Sequence, residues 1–226
     1  MNPNGKQVRR AFTRSEEWVN SLIHAVGALL GVIAIVLLVM EAADHGRTGS
    51  VGAVIIYGAA LILLFASSAI YHGLSDGRAK RLFRSFDHAG IFLLIAGTYT
   101  PFCLLLPPER QWILLTVVWV LAGLGIALQA AAFLAGRIRH YEKVAFALYL
   151  ALGWIPILAV GGEVLAALSR TGLLLLVAGG LAYSIGVIFY LWRRLQFGHA
   201  IWHLFVLSAS AFHFFAVLMF VVPAPT

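Results

Sequence analysis

The chain has 226 residues, of which 62% are hydrophobic and only 11% are charged. So large an apolar fraction excludes an ordinary soluble domain and indicates a membrane protein with several spans. The net charge of +7 does not indicate nucleic-acid binding, because the basic residues are concentrated in particular loops, and the single cysteine, Cys103, excludes an internal disulfide.

Seven apolar segments are each long enough to cross a bilayer, which takes about 20 residues. They predict transmembrane helices over residues 19–40, 51–74, 86–106, 111–133, 143–161, 172–192 and 200–222. The connections between them are short. We therefore expect an all-α fold, a single seven-helix transmembrane domain over residues 16–226 that follows a polar, basic tail over residues 1–15.

The distribution of Lys and Arg predicts the orientation of this bundle. Thirteen of the sixteen basic residues lie in the N-terminal tail and in the second, fourth and sixth loops, and the other side has only Arg47, Arg110 and Arg170. Cytoplasmic loops carry the excess of basic residues in membrane proteins. We therefore expect the N-terminus in the cytoplasm and the C-terminus outside, and the compact loops suit a bacterial inner (plasma) membrane protein.

With this orientation, polar residues of four helices reach the same depth, near the cytoplasmic boundary. Helix 2 ends near His72, helix 3 starts at Asp87 and His88, and helix 7 starts with His199 and His203. Helix 1 begins on the same side with Glu16, Glu17, Asn20 and His24. Ionisable residues at membrane depth are costly, so such a group is a functional-site hypothesis by default.

The spacing of these residues suggests a metal site. Residues four apart share a helix face, so His199 and His203 can hold one ion together, and Ser68 and His72 point the same way from helix 2. Three imidazoles and a water form a tetrahedral zinc site with an open catalytic position. Asp87 is then a candidate for orienting or deprotonating that water, and Ser68 for hydrogen bonding to the water or a developing oxyanion.

Simpler interpretations of the same histidines stay open at this point. Two histidines four residues apart occur on many helices by chance, and a solitary intramembrane histidine can bond a backbone carbonyl or a serine of a neighbouring helix. His88 is a candidate for such a packing role. His213 lies ten residues beyond His203, roughly 15 Å along the helix, so we expect it to be structural or to line a pathway.

Several sequence blocks resemble the hemolysin III family, which belongs with the progestin and adipoQ receptor (PAQR) proteins. Ser-Ser-Ala-Ile-Tyr-His at 67–72 is similar to the family's S-x-x-x-H signature, and Gly-His-Ala-Ile-Trp-His-Leu-Phe-Val at 198–206 to its last-helix block. Phe-Asp-His-Ala-Gly-Ile at 86–91 resembles the third-helix block. Glu17, Asn20 and His24 match the first-helix pattern E-x-x-N-x-x-x-H. The resemblance covers essentially the whole chain.

This resemblance implies a seven-helix bundle with its N-terminus inside and a Zn²⁺ ion near the cytoplasmic leaflet. By analogy with the related adiponectin receptors, the zinc ligands are His72, His199 and His203. The family's serine and aspartate beside the zinc-bound water correspond to Ser68 and Asp87. The chain is most similar to the bacterial branch, which is linked to membrane lipid homeostasis.

Three functions are compatible with these features. The first is zinc-dependent hydrolysis of a lipid amide or ester, as in ceramidase-like relatives, with membrane lipids as partners. We expect Gly161-Gly162 and Gly179-Gly180 to loosen the helix packing so that lipid tails can enter. The second is a non-catalytic sensor or regulator of membrane state with a structural zinc. The third, suggested by the family's name, is a pore-forming, cytolytic hemolysin.

Overall fold

The computed structural model describes residues 12–45, 49–192 and 194–223. Over these residues the fold is all-helical and contains no strand. The elements are α1 (Arg14–His45), α2 (Ser50–Gly73), α3 (Arg78–Cys103), α4 (Pro108–Leu134), α5 (Ile138–Ala167), α6 (Arg170–Leu191) and α7 (Gly198–Ala216), and a π-helical turn (Val217–Val221) continues α7. Each apolar segment predicted from the sequence overlaps one of these helices.

Several helices are longer than the apolar segments that predicted them, because polar residues at their ends supply helix-start signals. Helix α1 begins at Arg14, five residues before the predicted 19. Glu16 N donates to Thr13 Oγ1 at 3.3 Å, and Thr13 N donates to Glu16 Oε2 at 2.8 Å, which forms a capping box. Helix α4 begins at Pro108, where the missing N–H removes no helical bond.

Five of the described helices are long and apolar enough to cross a membrane: α1, α2, α4, α6, and α7 with its π-helical turn. Helix α1 exposes large apolar side chains such as Leu22 and Leu29 on its outer face, as expected for contact with lipid. Helix α3 is more polar, and it lies in the middle of the bundle against α2, α4 and α5. The apolar part described in α5 is Val144–Ile155.

Neighbouring helices pack closely through small residues. A Cβ on Gly97 would lie 2.8 Å from Ala60 Cβ, which holds α3 against α2. Gly179 is equally tight, since a Cβ there would lie 2.2 Å from His213 Cδ2 on α7, and a Cβ on Gly180 would lie 3.1 Å from the Trp154 ring. The expectation that Gly179-Gly180 loosens the packing is therefore wrong: the missing side chains are replaced by neighbouring rings.

The bundle closes where α1 packs against α7. Consecutive helices pack along their lengths in most of the described chain, but the backbones of α5 and α6 approach each other at few positions among the described residues. Both helices border the large cavity described below.

Candidate metal centre

Four helix ends meet at one end of the bundle and carry the polar residues singled out in the sequence. Glu17 of α1 contacts both His72 at the end of α2 and Lys80 at the start of α3. The backbone N–H of Phe197, just before α7, donates to Glu16 Oε1 at 2.9 Å. The starts of α1, α3 and α7 and the end of α2 are therefore tied together by hydrogen bonds and ion pairs.

His72, His199 and His203 come together at this end. The Nε2 of His72 lies 3.1 Å from Nε2 of His203 and 3.3 Å from Nε2 of His199. Within the described part of the chain these are the residues whose ligand atoms group closely enough to hold a metal ion, all within 4.8 Å of one another. Nitrogens bound tetrahedrally at about 2.0–2.1 Å from a metal ion such as zinc stand roughly 3.3 Å apart, so the two distances from His72 suit a shared metal ion.

Hydrogen bonding among neutral imidazoles accounts for this arrangement less well than a shared metal ion does. His72 Nδ1 lies 2.5 Å from Glu17 Oε2, and because an ionised carboxylate only accepts, the Nδ1 carries the proton. Its Nε2 then has one lone pair, and the Nε2 atoms of two other histidines face it. One lone pair can satisfy one N–H donor well, whereas a cation satisfies all three nitrogens.

Ser68 and Asp87 lie beside the three histidines. Ser68 is completely buried on α2, one turn before His72, and its Oγ has no hydrogen-bond partner of standard geometry among the described residues. Asp87 of α3 lies close enough to interact with Ser68 and His72, and this half-buried residue borders the cavity. A hydroxyl donor and a carboxylate therefore stand next to the candidate metal position.

The other predicted histidines do not join this group. The ring of His24 packs on that of His203, with centroids 3.9 Å apart, but His24 is not one of the three converging residues. His88 lines the cavity, and its carbonyl accepts a hydrogen bond from the Tyr149 hydroxyl at 2.8 Å. His213 Nε2 donates to the Leu176 carbonyl at 3.1 Å and also lines the cavity, which is compatible with either role expected for it, structural or pathway-lining.

Three residues near the histidines received no role from the sequence. Glu17 matches the first-helix pattern, but the sequence does not predict its contact with His72. Lys80 is one of the basic residues of the second loop, and its Nζ lies 2.9 Å from Glu17 Oε1. The Phe12 ring lies over His199, with centroids 4.8 Å apart. The available signal was the helix-1 pattern, which places Glu17 at the depth of the histidines.

A cavity of about 580 Å³ leads from the three-histidine cluster into the bundle. Asp87, His199 and His203 border one end, and Leu176 and His213 lie about 15 Å further along, judged from the rise of α7. Most of the wall between them is formed by apolar and aromatic side chains of α3, α5, α6 and α7. The polar cluster therefore lies at one end of a long, largely apolar cavity.

Comparison with known proteins agrees with these features. The family described as "Haemolysin-III related" matches residues 12–214. A protein of Bacillus cereus named "Hemolysin-3" is 40% identical over 219 residues, which cover 96% of this chain and 97% of that protein. The "Hemolysin-3 homolog" of Bacillus subtilis is 40% identical over 217 residues, covering 95% and 98% of the two chains.

A more distant similarity extends to mammals. The human "Monocyte to macrophage differentiation factor" is 32% identical over 183 residues, covering 76% of this chain and 71% of that protein. The family match extends over nearly the whole chain, both Bacillus proteins match almost end to end, and several helices are long and apolar enough to cross a membrane. The chain is therefore an integral, multi-pass membrane protein that belongs to the haemolysin-III-related family.

Proposed function

We propose that this protein hydrolyses an acyl amide or ester of a membrane lipid at a zinc ion held by His72, His199 and His203. The observation that carries the proposal is the meeting of three imidazole nitrogens, a carboxyl group and a hydroxyl group at the head of an apolar cavity. Hydrolysis of a lipid needs both parts, a polar centre that activates water and an apolar chamber that holds the chain.

The proposal includes seven spans with the N-terminus in the cytoplasm. In support, the start of α1, the end of α2 and the starts of α3 and α7 lie at one end of the bundle. Arg110 of α4 and Glu163 of α5 pair at 3.2 Å, which brings the start of α4 beside the last turns of α5. Successive helices therefore run in opposite directions, as expected if each crosses the membrane in turn. The basic loops then lie on the same side as the histidines.

The chemistry divides among the residues of the site. A bound zinc ion supplies a water whose pKa falls from about 15.7 towards roughly 7, and it polarises the acyl carbonyl. The Asp87 carboxylate accepts a proton from the attacking water and returns it to the leaving amine or alkoxide. The Ser68 hydroxyl donates a hydrogen bond to the carbonyl oxygen as it becomes negative, which stabilises that charge.

The cavity supports a lipid as substrate. At about 30 Å³ per carbon, close to the volume share of a liquid water molecule, 580 Å³ has room for on the order of twenty carbon atoms. Each buried CH₂ contributes about 0.8 kcal/mol to binding, so the chain supplies most of the affinity. Among the described residues the backbones of α5 and α6 approach each other at few positions, and this side of the bundle is the proposed lateral route for the lipid chain from the bilayer.

The experiment measures zinc content and hydrolysis together in purified protein reconstituted into lipid nanodiscs, with a ceramide and a phospholipid as substrates. The Asp87→Asn variant is expected to retain zinc and lose hydrolysis, whereas His203→Ala is expected to lose both. His45→Ala is the matched control, because His45 is exposed at the far end of α1 and pairs with Glu41. Full hydrolysis by a zinc-free His203→Ala protein would contradict the proposal.

The second candidate is a non-catalytic sensor or regulator of membrane state with a structural zinc. In its favour, His72 belongs to α2 and the other two histidines to α7, and these helices share few other contacts over the described residues. An ion there would join directly two helices that are otherwise linked mainly through α1. This candidate predicts that the Asp87→Asn protein keeps both its zinc and its full cellular function, whereas the hydrolase predicts loss of function.

The names of the two Bacillus relatives add cytolysis as a third candidate. It predicts that purified protein added to erythrocytes releases haemoglobin in proportion to dose. The hydrolase predicts that lysis, if observed, disappears in Asp87→Asn, since products of lipid hydrolysis rather than a pore would cause it. Persistence of lysis in this variant would favour a pore.

A further inference from the structure

We infer that Glu17 is a positioning residue for His72, and that Lys80 in turn holds Glu17 in place. This inference rests on the proposed metal site and extends it to the residues that orient one ligand. Glu17 Oε2 lies 2.5 Å from His72 Nδ1, and Glu17 Oε1 lies 2.9 Å from Lys80 Nζ. The His72 side chain is fully buried, so no bulk water competes for its Nδ1–H.

Both oxygens of the Glu17 carboxylate have a separate partner. One oxygen accepts from His72 and the other pairs with Lys80, so the carboxylate cannot rotate without breaking one of these bonds. Lys80 Nζ also donates to the Leu74 carbonyl at 2.9 Å and lies 5.1 Å from the centre of the Tyr71 ring. The arrangement links α1, the end of α2 and the start of α3, and together they hold the His72 ring in position.

The consequence for His72 is a single tautomer and a single ring orientation. With the proton on Nδ1, the lone pair of Nε2 faces His199 and His203, as metal binding requires. His203 lacks a comparable support among the described residues, because its buried Nδ1 has no hydrogen-bond partner there. His72 therefore has a carboxylate support that His203 lacks.

Glu17 should thus affect metal affinity without contacting the ion. Removal of a group that orients a metal-bound histidine typically weakens metal affinity by about 10–100-fold. Glu17→Ala is expected to fall in this range. Glu17→Gln is expected to lose less zinc affinity than Glu17→Ala, because its amide oxygen still accepts from His72 Nδ1–H. Lys80→Met is expected to have the smallest effect, because it removes only the contact between Lys80 and Glu17.

The test measures zinc affinity of the full-length protein in detergent by competition with a chromophoric chelator. Thermal unfolding of the metal-free proteins is measured in parallel to detect a merely structural role. Glu41→Gln is the matched control, since Glu41 lies on the same helix and pairs only with His45 among the ion pairs described. The expected order of affinity is parent and Glu41→Gln, then Lys80→Met, then Glu17→Gln, then Glu17→Ala.

The possible results separate this inference from the proposed function. If the parent binds zinc and Glu17→Ala binds it with equal affinity, the inference is wrong and the metal site stands. If the parent binds no zinc, both are wrong. If Glu17→Ala does not fold, Glu17→Gln, which keeps the size of the side chain, decides the question: unchanged affinity together with unchanged affinity of Lys80→Met overturns the inference.

Discussion

The length of the apolar cavity can be tested by filling its far end. Leu176 of α6 lines the cavity, and its carbonyl accepts the hydrogen bond of His213, about 15 Å along the bundle from His203. Replacement of Leu176 by Phe places three more carbons at this end. Ligands whose chains reach this far lose space there, whereas short chains bound near the histidines do not.

The size of the effect follows from the displaced volume. Each added carbon displaces about one CH₂ of the ligand, and each buried CH₂ contributes about 0.8 kcal/mol. Leu176→Phe should therefore weaken binding of a long-chain ligand by about 2.4 kcal/mol, which corresponds to roughly 60-fold in Kd. A short-chain ligand should bind the variant and the parent equally.

Binding is measured by displacement of a fluorescent fatty acid, with palmitoyl and octanoyl ligands compared, so the result does not depend on turnover. The matched control is Leu174→Phe, the same substitution on the same helix at a side chain that is 61% exposed on the outer face. An equal loss of affinity for both chain lengths, or no loss for either, would show that the cavity does not hold an acyl chain.

Two further substitutions, the first with a matched control, test the contacts that shape the site. Gly179→Ala is expected to destabilise the protein by roughly 1–3 kcal/mol in detergent unfolding, because the new methyl group would overlap the His213 ring. Gly162→Ala, where a Cβ meets nothing within 4 Å, should change stability little, and equal stabilities of the two variants would contradict the close packing. Tyr149→Phe removes the buried hydrogen bond to the His88 carbonyl and should lower the free energy of unfolding by about 1 kcal/mol in the same assay. An unchanged stability would show that the bond contributes nothing.

Helix positions and the grouping of polar residues could be predicted from the sequence because they depend on local patterns. Apolar segments of span length predicted where helices form, and the basic loops predicted which helix ends share a side. That reasoning placed His72, His199 and Asp87 at one depth before any fold was known. The helix ends were less accurate, because signals such as the Thr13–Glu16 capping box extend helices beyond their apolar part.

Contacts between helices could not be predicted in this way, because they depend on crossing angles and on which side chains face each other. The bond between Glu17 and His72 joins residues 55 positions apart, and nothing local to either residue indicates it. The same limit explains the wrong expectation for Gly179: a glycine in a helix either leaves space or admits a neighbouring ring, and here the neighbour is His213.

The metal itself is the central claim, and elemental analysis of the purified protein tests it most directly. The parent and the His45→Ala control are expected to contain about one zinc per chain, as a site with three histidine ligands requires, whereas His72→Ala, His199→Ala and His203→Ala should each lose most of it. A parent protein without zinc, or three histidine variants that keep it, would contradict the account.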